Sequence, residues 1–117
     1  MTLKIHDITG NYAISADHGQ QVYDKIHSEL LDGRAVELDF SEVNVFASAF
    51  FNFAIGQLLK DIPPDDLNRL LQISNLNSNG ATILRQIIDN AKKYYGDPEY
   101  QEAADAVMEE YAASFEA

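Results

Sequence analysis

The stretch VELDFSEVNVFASAFFNFAIGQLL, residues 36–59, decides the fold. With Ala35 before it, the run to Phe40 is short, apolar at alternate positions and strand-like, which predicts a buried strand. A turn follows and ends at Ser48. From there Phe50, Phe51, Phe53, Ala54, Ile55, Leu58 and Leu59 predict a helix with an unusually broad apolar arc. A helix with so little polar surface is either packed deeply or shares part of itself with another protein, and in a domain of this size the first is commoner. Pro63-Pro64 is expected to end it.

Upstream, Leu3, Ile5 and Ile8 alternate with polar residues as in a first strand, and Tyr12 to Ser15 suggests a second after a turn at Gly10-Asn11. Val22, Ile26 and Leu30 recur at four-residue spacing between Asp17, read as the N-cap, and Asp32-Gly33, which together predict an amphipathic helix. Downstream, Leu67 to Leu76 fits either a helical turn or a strand. A strand at Leu70 to Ser74 completes the strand-helix alternation, with turn residues following from Asn75 to Gly80. Ile83, Leu84, Ile87, Ile88 and Ala91 then mark one face of a helix ending by Gly96. Asp97-Pro98-Glu99 starts another, whose stripe runs Tyr100, Ala103, Ala104, Val107, Met108, Tyr111, Ala112 and Phe115.

This order describes an α/β domain over residues 1–95 and an acidic amphipathic helix over 96–117, packed on the domain or on a partner. The 117 residues, 46% hydrophobic, suffice for one core, which at this length buries about two-thirds of the unfolded chain's surface without disulfides or metal. There is no cysteine, so thiol nucleophiles, thiolate metal sites and thiol redox switching are excluded. The net charge of −11 argues against nucleic acid and anionic lipid as partners. Residues 96–117 carry seven of the 19 acids and no base. The N-terminus has no basic start or continuous apolar run, and no segment approaches a membrane span, so a soluble cytoplasmic protein is expected.

Catalytic signatures are missing. There is no phosphate-binding glycine loop, nucleophile elbow or paired-histidine motif, and His6, His18 and His27 fall in different predicted elements. Asp39 near the end of its strand is expected to be satisfied by N–H groups of the following loop rather than to act as a catalytic acid. Ser48 at the predicted helix start is expected to cap it, and a phosphate there would be favoured by the helix N-terminus.

LDFSEVNVFASAFFNFAIGQLL, residues 38–59, resembles the strand-loop-helix of STAS domains, the class of sulphate transporters and anti-sigma factor antagonists. The similarity is closest to the bacterial STAS-like family of unknown function, over about the first 95 residues. It includes Tyr12, Gly19, the LDF strand, a serine and phenylalanine before the central helix, and Asn75-Leu76. The resemblance implies a mixed sheet of about four strands flanked by helices, here with an extra C-terminal helix. It also implies protein-protein signalling beside a histidine-kinase-like ATPase, without catalysis. In the antagonists the loop reads aspartate-serine-serine-glycine and the second serine takes the phosphate. Here those positions are Ala47, Ser48, Ala49 and Phe50, so the phosphoacceptor is not carried over.

The expected function is therefore a non-enzymatic regulatory module that uses no cofactor or metal. It docks a protein partner through a loop carrying Ser41, Glu42, Asn44, Phe46 and Ser48. The alternative is a domain binding a small anionic ligand or nucleotide at the Ser48 helix start. Homodimerisation through the striped C-terminal segment is left open by the sequence.

Overall fold

A computed structural model describes residues 1–96. The predicted C-terminal helix from Asp97 lies outside the described residues. The chain runs β1 (Thr2–Lys4), α1 (His6–Thr9), β2 (Tyr12–Ala13), α2 (Ala16–Leu31), β3 (Val36–Asp39), β4 (Val45–Phe46) and α3 (Ser48–Ala54). A 3₁₀ turn (Gly56–Lys60), α4 (Pro64–Leu70), β5 (Leu71–Ser74) and α5 (Ser78–Gly96) complete it.

The expected α/β class holds, but the sheet differs from the mixed four-stranded one that was expected. Among the described residues all strand pairings are parallel, and they form two sheets: three strands in the order β1-β3-β5, and a separate two-stranded ribbon β2-β4. In the larger sheet β3 is central, with Leu38 level with Leu3 on one side and Ile73 on the other. Its buried residues Val36 and Leu38 reflect a parallel strand paired on both edges.

Several boundaries move for local reasons. The first predicted strand stops at Lys4, because Ile5 accepts backbone hydrogen bonds from Ile8 and Thr9 and the chain turns into α1. Gly10, at φ 66°, closes that turn in a left-handed conformation that favours glycine. The cap of α2 is Ser15, whose Oγ accepts the His18 N–H at 3.1 Å, not Asp17, which sits inside the first turn. The helix predicted from Ser48 to Leu59 is two pieces, broken at Ile55 (φ −125°) and continued as 3₁₀. Pro63-Pro64 ends one helix and also starts another. Pro64 is the first residue of α4, where a missing N–H costs nothing, and Asp65 and Asp66 occupy its first turn.

The core is continuous. Helix α2 turns Gly19, Val22, Ile26 and Leu30 inward, and at Gly19 the backbones of α2 and α3 meet. A Cβ there would lie 2.5 Å from the Phe50 carbonyl oxygen and 2.9 Å from Phe53 Cβ. Phe40, Phe46, Phe50 and Phe51 form an aromatic cluster with neighbouring ring centroids 5.5–5.9 Å apart, within the range of favourable ring contacts. This cluster joins the end of β3 to β4 and α3, and so fixes the loop between them.

Candidate functional site

Because β1, β3 and β5 are parallel, their C-terminal ends lie along one edge of the sheet. The loops leaving that edge are tied together by short polar side chains. Asp39, the last residue of β3, accepts three hydrogen bonds at Oδ1: from the Ser41 hydroxyl at 2.6 Å, the Ser41 N–H at 2.9 Å and the Asn75 amide at 2.9 Å. The Ser41 hydroxyl, then the Asn75 amide and the Ser41 N–H, hold its carboxyl down at about 2, below the ordinary 3.8. Asp39 is thus satisfied by Ser41 of its own following loop, as the sequence leads one to expect, and also by Asn75 from the loop after β5.

The next residue, Glu42, is exposed and adopts φ 67°, while Asn75 opposite adopts φ 60°. Asparagine tolerates that left-handed region; for glutamate it costs about 1–2 kcal/mol. No hydrogen bond or ion pair holds the Glu42 side chain among the described residues.

Asparagines make the second tie. Asn11 Oδ1 accepts from the Asn44 N–H at 3.1 Å and from its side-chain amide at 2.8 Å. The Asn11 carbonyl takes the Val45 N–H at 3.2 Å, and Asn77 reaches the Asn44 carbonyl at 3.4 Å. Asn77 Oδ1 in turn accepts the Gly80 N–H at 2.8 Å, capping the first turn of α5. Above that turn sits Phe46: a Cβ on Gly80 would come within 3.0 Å of its ring.

The ribbon has two unlike faces. Ala13 and Phe46 point inward and are buried, whereas Tyr12 and Val45, paired in register, point outward. Ile14, two residues beyond Tyr12, continues the outward side. These three are exposed at 56%, 39% and 42% for Tyr12, Val45 and Ile14 respectively. Single exposed apolar side chains are ordinary, but neighbours on one small face make a patch.

Of the five residues expected in the loop, Ser41, Glu42, Asn44 and Ser48 are exposed. Phe46 is not; at 7% exposure it belongs to the aromatic cluster. Ser48 does not cap α3. The N-cap is Ala47, in an extended conformation and without a side-chain cap bond, and its N–H is held by the Ala13 carbonyl at 3.1 Å. Pairing of the ribbon therefore sets the helix start: α3 begins at Ser48 as expected, the cap is one residue earlier than expected, and Ser48 is an exposed first-turn residue.

Sequence reasoning did not pick out Asn11 and Asn77 as ties, or Tyr12, Ile14 and Val45 as a surface. The Asn11 turn and the 75–80 loop were visible as turn residues, but their pairing partners are more than thirty residues away. The three histidines stay apart from the loop cluster: His6 lies in α1, His18 in the first turn of α2, and His27 pairs with Asp61 at 2.8 Å. Among the described residues no three His, Asp or Glu side chains converge to hold a metal ion. No helix among them is long and apolar enough to cross a membrane.

This arrangement of parallel strands, a polar-tied loop and an aromatic-rich helix after it coincides with a family assignment. Residues 18–81 match the model described as a STAS-like domain of unknown function (DUF4325), and the chain belongs to that family. A search of curated proteins and one of solved structures each returned no match.

Proposed function

We propose that the chain is a non-enzymatic regulatory module that docks a protein partner through the outward ribbon face and the adjoining loop Ser41 to Ser48. The observation that carries this reading is the patch Tyr12, Ile14 and Val45 beside a loop whose backbone is tied from both flanks. A rigid apolar patch loses little conformational freedom on binding, which is what gives a small interface useful affinity. Glu42 supports it: an exposed glutamate kept in a strained backbone conformation, without a partner among the described residues, is suited to an external contact. With Glu42 and Asp39 on this edge, the complementary surface is apolar with a basic rim.

The family resemblance adds the setting, a cytoplasmic partner-switching circuit of a bacterial cell with a histidine-kinase-like ATPase as the other component. Ser48, exposed in the first turn of α3, is where added phosphate would alter that surface, whereas Ala49 has no acceptor atom. The anionic-ligand alternative draws no support from the geometry, because α3 is only seven residues long.

The test is calorimetric titration of the full chain against a purified ATPase of that class, using wild type, Tyr12→Ala, Val45→Ala and Leu31→Ala. Leu31, also exposed, lies at the end of α2 and serves as the control. Loss of at least tenfold in affinity for Tyr12→Ala and Val45→Ala, with Leu31→Ala unchanged, is the expected result. Equal affinity of all four sinks the site assignment, and no binding by wild type sinks the ATPase as the partner.

A further inference from the structure

A second apolar surface lies between β5, the last strand of the larger sheet, and α5. Among the described residues β5 pairs with β3 alone, and its Leu71 and Ile73, on one face, line a groove with α5. The groove has two adjoining cavities, about 520 Å³ and 350 Å³, that share Ile73, Leu84, Ile88 and Lys92. Its floor is apolar and half-buried, with Leu71 and Ile73 from the strand and Ile88 from the helix.

The charge along the groove is unlike the rest of the chain. Residues 1–77 hold eleven acids and five bases, but α5 has one acid, Asp89, and three bases, Arg85, Lys92 and Lys93. Arg85 and Lys92 both line the groove, as do Asp89 and Asp65, and neither base has an ion-pair partner among the described residues. The most acidic part of the chain, residues 97–117 with seven acids and no base, begins one turn beyond Lys92. It carries the apolar stripe from Tyr100 to Phe115.

We infer that the β5–α5 groove is the docking site for residues 97–117 of the same chain. The lengths agree. At 1.5 Å per residue the groove from Ala81 to Lys92 is about 16 Å long, and a helical stripe from Tyr100 to Phe115 spans about 22 Å. Asp97-Pro98 directly after α5 supplies the turn needed for an antiparallel return. On that path the stripe covers Ile73, Leu84 and Ile88, the apolar residues that line the groove. The acids beside the stripe come within reach of Arg85 and Lys92. None of Tyr12, Ile14 and Val45, the outward ribbon side chains, lines this groove.

The chain has no cysteine, so engineered pairs report proximity cleanly. In the full chain, the pair Arg85→Cys with Met108→Cys is oxidised mildly beside a control pair, Gln21→Cys with Met108→Cys; Arg85 and Gln21 are both exposed helix positions. The expected result is a disulfide within one chain, formed at least tenfold faster than in the control, and slowed severalfold when Lys92→Glu is added. Equal rates for the two pairs, no disulfide in either, or a disulfide-linked dimer as the main product would each overturn the inference. The last outcome would assign the groove to a second copy.

Discussion

Single residues separate the parts of this site that hold the fold from those available to a partner. Ser48 is the clearest case. As an N-cap its loss would cost about 0.5–2 kcal/mol, but the cap position is Ala47. Ser48→Ala is therefore expected to change stability by less than about 0.5 kcal/mol in urea unfolding, while Ser15→Ala, which removes a real cap, costs about 1 kcal/mol. Glu42 gives the opposite separation. Glu42→Gly relaxes a φ of 67° and is expected to leave stability unchanged or raise it by up to about 1 kcal/mol while weakening partner binding. Asp39 sets a pH dependence. Its folded carboxyl, near 2, binds a proton less readily than the ordinary 3.8 of the unfolded chain. Its contribution to stability is thus fully present above about pH 4 and is lost as pH falls toward 2. Comparing acid unfolding of wild type with Asp39→Asn checks this: the variant should lack that component between pH 4 and 2, and parallel curves would count against the triple hydrogen bond.

At the scale of elements, stability concentrates where α2, α3 and the aromatic cluster meet. Gly19→Ala has no room for a methyl group against the Phe50 carbonyl and is expected to cost about 1–3 kcal/mol as the helices part. A loss below about 0.5 kcal/mol in denaturant unfolding would show that α2 and α3 yield more easily than their contact implies. Helix α2, strand β3 and the body of α5 were legible in the sequence because each carries a sustained period that buries one side. The elements that were misread are short, and their form depends on partners far along the chain. β4 is two residues long and exists only because β2 lies beside it. The break at Ile55-Gly56 leaves no mark in the apolar pattern, since Phe51, Ala54, Leu58 and Leu59 stay buried on both sides of it. The start of α4 was readable in principle: Pro64 followed by Asp65 and Asp66 is a helix-initiation pattern that reading the prolines only as a terminator conceals.

For the molecule as a whole, the parallel sheet gathers the loop ends on one edge, and polar ties there hold one outward face of the ribbon. The loop Ser41 to Ser48 was identifiable from its resemblance to a known strand-loop-helix, but that comparison could not reveal which side chains face out. Phe46, the most prominent apolar residue of the loop, is buried, and the exposed neighbours are Tyr12, Ile14 and Val45. Alternation marks that a strand has two faces; only the position of the aromatic cluster decides which is covered. The most direct test of the docking face is a hydrogen-exchange footprint of the full chain with and without its purified partner. Added protection is expected to be confined to residues 11–15 and 41–49. Protection confined to β5 and α5, with the ribbon and loop unchanged, would contradict it.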